Sequence, residues 1–182
     1  MILSDLGMKV LSLKEAGIQA DIVEDGKTFE ENAIKKVNAI RPYTDGIILA
    51  DDSGLEVDAL DKKPGIYSAR FMGEDTPYER KNQAIIDALK DVPDEKRTAR
   101  FVCVIAAGMP DGTVRTTRGT IEGVIARKPA GEGGFGYDPI VYVPELHKTT
   151  AELTPEQKNE VSHRGKALRA MKEEIRSYQQ KK

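Results

Sequence analysis

A short apolar run that ends in two acids constrains the fold of this 182-residue chain more than any other stretch. The run Ile47–Ala50 is too short for a helix and rich in β-branched residues, which predicts a strand buried on both faces. It stops at Asp51–Gly54, a sequence of turn-forming residues. Because α/β sheets bind ligands beyond the carboxyl ends of their strands, a functional site is expected at this turn.

The predicted turn carries two neighbouring carboxylates and a hydroxyl, which are possible ligands of a metal ion. Successive side chains of a strand point to opposite faces, so at most one of Asp51 and Asp52 is expected at any given site. A carboxylate beside the Ser53 hydroxyl suits Mg²⁺, which takes one or two protein carboxylates and leaves its other positions to water and phosphate. The alternative is that Asp-Ser-Gly only forms a turn.

The composition narrows the class of protein and its partners. With 32% charged and 39% hydrophobic residues, the chain has an ordinary soluble profile, and its length predicts a single domain over residues 1–182. A net charge of −2 provides no global positive field, so neither nucleic acid nor a membrane is an expected partner. The single cysteine, Cys103, excludes an internal disulfide, and no segment resembles a signal peptide or a membrane span. We therefore expect a cytoplasmic protein.

Local signals predict the elements around the central strand. Capping residues and prolines mark the helix ends, and Met109–Gly112 is a clear turn between two strands. The predicted elements are a helix end within 2–7, a strand at Lys9–Leu13, helices from Thr28 to Arg41 and from Thr76 to before Pro93, a hairpin of 100–107 with 113–125, a strand at 140–143, and two final helices that start at Thr154 and Ser162.

A glycine-rich loop, Gly131–Gly136, matches the dinucleotide pattern G-x-G-x-x-G. That function is rejected, because a strand rather than a helix follows the loop. Phe135 and Tyr137 are expected to protrude from it, and a nucleobase stacks well on such rings. The alternative is a surface turn with one buried aromatic side chain.

Two segments, Ala50–Leu55 and Pro64–Arg70, resemble the signature of the inosine triphosphate pyrophosphatase family, and the resemblance continues to the C-terminus. It implies Mg²⁺-dependent hydrolysis of non-standard purine triphosphates, such as ITP, dITP and XTP, to the monophosphate and pyrophosphate. We expect an α/β fold with a long twisted mixed sheet, flanking helices and two lobes with a cleft, and a homodimer.

The resemblance also implies roles for individual residues. Asp52 would activate the attacking water or hold the metal, with Asp51 and Glu31 as further metal ligands. For Glu31, capping of the helix at Thr28 is the competing explanation.

Further residues are implied in substrate binding. Phe135, Gly136, Tyr137 and Asp138 would lie beside the purine, with Asp138 accepting from a ring N–H group. The others are Ser53, Lys158, His163 and Arg164, of which Lys158 would meet phosphate or base and the last two would bind the purine edge. A solvated basic face is the alternative for that basic cluster.

Two other functions compete with this one. A septum-formation-type nucleotide pyrophosphatase has the same fold and prefers modified pyrimidines, although Ser162–Arg164 argues against it. The other is a folded but inert fragment, because family members begin with a strand and a Thr-Gly-Asn-x-x-Lys segment that binds the triphosphate. Residues 1–7 resemble the end of the helix after that segment, so this alternative predicts weak or no hydrolysis of ITP.

Overall fold

The structure, a computed structural model, describes residues 2–181. It confirms the α/β class, with helices and strands mixed along the chain. The α-helices are α1 (Phe29–Ile40), α2 (Tyr78–Ala88), α3 (Pro155–Val161) and α4 (His163–Gln180). The strands are β1 (Ile48–Val57), β2 (Lys63–Pro64), β3 (Thr98–Gly108), β4 (Val114–Ile125), β5 (Val141–Val143) and β6 (Lys148–Thr149).

The six strands form one sheet in the order β2-β1-β3-β4-β5-β6. β2 pairs antiparallel with the end of β1, where Glu56 lies opposite Pro64. β5 pairs antiparallel with β4 on one side and with β6 on the other, through Tyr142. The predicted hairpin is present as β3 and β4, which are neighbours in the sheet.

The chain divides into two compact units, and each has its own apolar core. The first unit comprises Met1–Asp52, Cys103–Gly119 and His163–Lys182, and the second comprises Ser53–Val102 and Thr120–Ser162. In the first unit, the core includes residues of β3 and α4, among them Ile105, Met171 and Ile175, together with Met109 directly after β3. In the second unit, it includes residues of β1, α2 and β4, among them Leu55, Ile85 and Ile125, together with Leu89 at the C-cap of α2.

The four predicted α-helices rest on local signals and are confirmed, whereas the helix end expected within residues 2–7 is a short 3₁₀ helix, Ser4–Leu6. The Thr28 side chain caps α1, and the apolar residues Phe29, Ala33, Val37 and Ile40 of this helix are buried. Thr154 forms a capping box with Gln157 at the start of α3. None of the described helices is long and apolar enough to cross a membrane.

The turn predicted at Asp51–Gly54 and the strand predicted at Lys9–Leu13 are both wrong. Asp51–Gly54 is not a turn, because β1 continues through it to Val57. Paired backbone holds these residues in the strand despite their preference for turns. Lys9–Leu13 forms no strand, and several of its apolar side chains are exposed, such as Val10 at 56%. In addition, of the run Ile47–Ala50 only Ile48 is fully buried.

Candidate active site

The most buried acid of the first unit is Asp52, in the middle of β1. Its side chain accepts a hydrogen bond from Asn32 Nδ2 at 3.2 Å, and Lys36 Nζ lies 3.5 Å from its other oxygen. Burial raises the pKa of Asp52 above its usual value, although Lys36 and Asn32 partly oppose this shift. Asp52 is therefore a stronger proton acceptor than an exposed aspartate.

Lys36 is a site residue that the sequence analysis missed. Its Nζ lies 2.9 Å from the Asp51 carbonyl oxygen and 3.2 Å from Glu24 Oε2, in addition to Asp52. Asn32 and Lys36 are four positions apart on α1, so they lie on one face of the helix. The spacing of four indicates that the two side chains lie on one face of α1. Nothing in the sequence indicates that this face contacts Asp52 of β1.

Asp51 faces different partners from Asp52, as the alternation of a strand requires. Its carboxylate accepts a hydrogen bond from Arg164 Nη2 at 2.8 Å, in the first turn of α4. Burial disfavours the charged guanidinium, but Asp51, together with Cys103, outweighs burial and raises the pKa of Arg164. The structure thus joins two of the predicted site residues.

Glu31 is engaged at the start of α1. Its backbone N–H donates to Thr28 Oγ1 at 3.1 Å, and its carboxylate accepts from the backbone N–H of Lys27 at 2.6 Å. The first contact caps α1, which the sequence analysis considered as the alternative, whereas the second binds the residue before the N-cap. The metal-binding role of Glu31 stays a prediction.

The oxygen atoms near Asp52 are chemically suited to Mg²⁺. Three oxygens, from Glu24, Asp51 and Asp52, lie within 3.5 Å of the Lys36 ammonium group, so they already surround one positive charge. Within residues 2–181 no group of three or more His, Cys, Asp and Glu side chains is arranged to hold a metal ion. Mg²⁺ commonly binds through one or two carboxylates, so the donor set still fits it.

In the second unit, an aromatic ring and an ammonium group lie side by side. The Phe135 side chain is 71% exposed at the glycine-rich loop, as predicted. Lys158 Nζ, on α3, lies 5.8 Å from the centre of that ring. An exposed ring beside a cation offers a flat surface and hydrogen-bond donors to a nucleobase.

Tyr137 does not protrude, contrary to the prediction. It is only 4% exposed, its hydroxyl donates to the Ser68 carbonyl oxygen at 2.6 Å, and its ring meets Tyr78 edge to face. Burial raises its pKa. Its ring therefore belongs to the core. The neighbouring Gly136 has a φ of +67°, and its carbonyl accepts a hydrogen bond from Asn82 at 3.1 Å.

Asp138 is buried, with 3% of its surface exposed. Its Oδ2 accepts from the backbone N–H of Phe135 at 2.9 Å and pairs with Lys158 Nζ. Its Oδ1 accepts from Thr150 Oγ1 at 2.7 Å. Thr150 was not predicted, because a lone threonine 12 positions away carries no sequence signal for such a contact. The carboxylate is thus surrounded by donors from the protein itself.

Two further residues, Ser53 and His163, were predicted to bind substrate. Ser53 is a partly exposed residue of β1 that begins the second unit. His163 is the first residue of α4, and its carbonyl oxygen lies so close to Gly119 that a Cβ there would overlap with it. Their proposed contacts with substrate stay predictions.

The fold and these two groups of residues define an α/β protein with a buried carboxylate and an exposed aromatic surface. The profile of the Ham1 family matches residues 1–174 of the chain. A dITP/XTP pyrophosphatase of Clostridium perfringens is 48% identical, with 96% of this chain and 89% of the relative covered. One from Desulforamulus reducens is 52% identical over 92% and 84%, respectively.

Solved structures agree with this relationship. A HAM1 protein from Coxiella burnetii superposes with a TM-score of 0.89 at 41% identity, covering 97% of this chain and 90% of that one. The Ham1 protein of Staphylococcus aureus gives 0.82 at 45% identity, covering 87% and 81%. The chain therefore belongs to the Ham1 family.

Proposed function

We propose that this chain hydrolyses non-standard purine nucleoside triphosphates, such as ITP, dITP and XTP, to the monophosphate and pyrophosphate. The observation that carries the proposal is the exposed Phe135 ring beside Lys158, which suits a nucleobase. The relatives with 48% and 52% identity are named dITP/XTP pyrophosphatases, which supports this substrate class.

In the proposed reaction a water molecule attacks the α-phosphorus. A bond forms between phosphorus and the water oxygen, and the bond from phosphorus to the bridging oxygen of pyrophosphate breaks. The Asp52 carboxylate orients the water and accepts its proton. Asn32 and Lys36 hold the carboxylate in place through the contacts at 3.2 and 3.5 Å.

We propose Mg²⁺ as the cofactor, with Asp52 as a ligand and Glu31 as the second, while Asp51, whose carboxylate binds Arg164, supports the site from the same strand. When bound, it would neutralise phosphate oxygens and the charge on the departing pyrophosphate. Because the chain has a net charge of −2, an anionic substrate requires such local positive charge.

We propose that hydrogen-bond donors of the protein recognise the purine base. Position 6 of hypoxanthine and xanthine is an oxygen acceptor, whereas in adenine it is an amino donor. Lys158, His163 and Arg164 supply donors, which an adenine base would leave unpaired. We assign Ser53 and Gly136 to substrate binding as well, and we propose a cytoplasmic homodimer.

The test is a panel of nucleoside triphosphates assayed with and without Mg²⁺. ITP, dITP, XTP, GTP, ATP and a modified pyrimidine triphosphate are compared, and both pyrophosphate and monophosphate are quantified. We expect equal amounts of the two products from ITP and XTP, and loss of activity with EDTA. Release of inorganic phosphate and a diphosphate, or a preference for the pyrimidine, would contradict the proposal.

A matched pair of variants tests the aromatic surface. Phe135→Ala removes a stacking contact of about 1–3 kcal/mol, so the KM for ITP should rise by the corresponding factor. Tyr43→Ala, which alters another exposed aromatic side chain, is the control and should leave the KM unchanged. Sedimentation of the purified protein tests the dimer.

A further inference from the structure

The Asp138 carboxylate is buried, so its partners are protein groups and not solvent. Only 3% of the residue is accessible, and a buried charge is tolerated only when protein groups pair with it. Three donors do so, namely the Phe135 backbone N–H, Lys158 Nζ and Thr150 Oγ1. A ring N–H group of a purine would have to compete with them for the same two oxygens.

The backbone of the glycine-rich loop packs directly against this carboxylate at Gly134. Gly134 has a φ of +70°, a conformation that residues with a Cβ rarely adopt. A Cβ at this position would overlap with Asp138 Oδ2 and would lie 2.6 Å from Lys158 Nζ. Glycine therefore allows the loop backbone to lie directly against the ion pair.

Asp138 contacts both Phe135 and Lys158, the two residues that are proposed to bind the purine base. Through the backbone N–H of Phe135 it fixes the segment that carries the exposed ring, and through Lys158 Nζ it fixes the cation near the ring. The ammonium group has three N–H donors, one of which is directed to Asp138. Within residues 2–181 Asp138 is the acceptor that this group binds, so the other two donors are available to an acceptor on a base that stacks on Phe135.

We propose that Asp138 is a positioning residue that acts through Lys158 and Phe135, in place of a direct hydrogen bond to the purine. It restricts the Lys158 ammonium group to one position beside the stacked base. This inference rests on the proposed function, because it assigns Lys158 and Phe135 to the purine.

A double-mutant cycle separates this role from direct contact. Asp138→Asn keeps the size of the side chain but removes one acceptor oxygen and the charge, so the KM for ITP should rise about tenfold with kcat little changed. In the background of Lys158→Met, which already lacks the ammonium group, Asp138→Asn should have little further effect. Asparagine keeps one oxygen that can accept from the Phe135 N–H group, so the cycle tests the contact to Lys158. Multiplication of the two losses would show that Asp138 acts independently of Lys158 and would overturn the proposal.

A second readout does not depend on catalysis. An amine-reactive reagent followed by peptide mapping measures how accessible Lys158 Nζ is, and we expect its labelling rate to increase several-fold in Asp138→Asn. Gly134→Ala should have the same effect, because its Cβ would displace the carboxylate. Thr150→Val is the control, since it removes the hydrogen bonds to Asp138 Oδ1 and to the Asp138 carbonyl oxygen but no contact of Lys158, and Lys158 labelling should stay at the wild-type rate.

The two experiments distinguish the possible failures. An unchanged labelling rate of Lys158 in both Asp138→Asn and Gly134→Ala would overturn the positioning role, whatever the activity. Increased labelling in a protein whose wild type hydrolyses neither ITP nor XTP would disprove the proposed function, while the Asp138–Lys158 contact would stand. Thermal unfolding of each variant identifies any that fails to fold, in which case Gly134→Ala carries the test.

Discussion

Asp51 and Arg164 are 113 positions apart in the sequence, and their side chains meet at 2.8 Å. The contact ties the start of α4 to the middle of β1 within the first unit. A guanidinium group has five N–H donors, so the bond to Asp51 orients it and leaves donors for a further acceptor. This relationship is the basis of the first prediction.

Arg164→Ala should lower ITP turnover far more than ATP turnover, because only ITP has an oxygen acceptor at position 6. Steady-state kinetics with both substrates measure the difference, and Arg169→Ala on the same helix is the control. Equal losses with the two substrates would mean that Arg164 serves phosphate, or only holds Asp51. Asp51→Asn separates these two cases, since it removes the partner but keeps the guanidinium group.

Asp52→Asn should abolish hydrolysis of ITP and raise the melting temperature at neutral pH. Because burial raises the pKa of folded Asp52, ionisation costs free energy in the folded state, and the neutral amide avoids this cost. The gain in stability should disappear as the pH falls below about 3.9, the usual pKa at which unfolded Asp52 is protonated.

Thermal unfolding across pH and an assay of kcat test this prediction. Asp45→Asn, a charge removal at an exposed position, is the control and should change neither quantity. If Asp52→Asn retained more than about a tenth of kcat, less than about 1.4 kcal/mol of the barrier would depend on Asp52. Asp52 would then not be the principal carboxylate.

Gly119→Ala should destabilise the first unit and disturb the start of α4. A Cβ at Gly119 would overlap with the His163 carbonyl oxygen and lie 2.6 Å from the Ala167 backbone nitrogen. Backbone atoms of a helix cannot yield easily, so we expect a loss of about 1–3 kcal/mol in the free energy of unfolding. Chemical denaturation measures it, with Gly46→Ala as the control, because the nearest atom there is a side-chain oxygen at 3.3 Å. Equal stability of the two variants would contradict the packing described.

Asp58 should make the stability of the second unit sensitive to acid. Arg100 binds both of its oxygens at 3.0 and 2.8 Å, and Lys62 and Thr98 add further contacts, which together hold the pKa of Asp58 well below its usual range. Because the folded pKa is depressed, the stabilisation is complete above the unfolded pKa of about 3.9 and is lost as the pH falls toward the folded pKa.

Asp58→Asn should therefore lower the free energy of unfolding at pH 7 by about 1–3 kcal/mol, as expected for a hydrogen bond to a charged group. The difference from the wild type should shrink in progressively more acidic buffer. Asp61→Asn changes the same charge at an exposed position and serves as the control. A difference that stays constant with pH would exclude ionised Asp58 as its source.

The sequence by itself determined the elements whose signals are local. Thr28 and Thr154 cap helices because their hydroxyls bond to backbone groups three residues away, and Met109–Gly112 turns the chain between β3 and β4 for similar reasons. The exposure of Phe135 and the family were also predictable. These depend on residue types and their order within a short stretch.

Only the tertiary structure decided the partners and the burial of the site residues. Asp51 and Asp52 have identical side chains, yet one pairs with Arg164 and the other is buried against Asn32 and Lys36. Turn-forming residues lie within β1, and Tyr137 enters the core while Phe135 stays exposed. The physical reason is that burial and ion pairing depend on groups brought together from distant positions, whose contact free energies outweigh local preference.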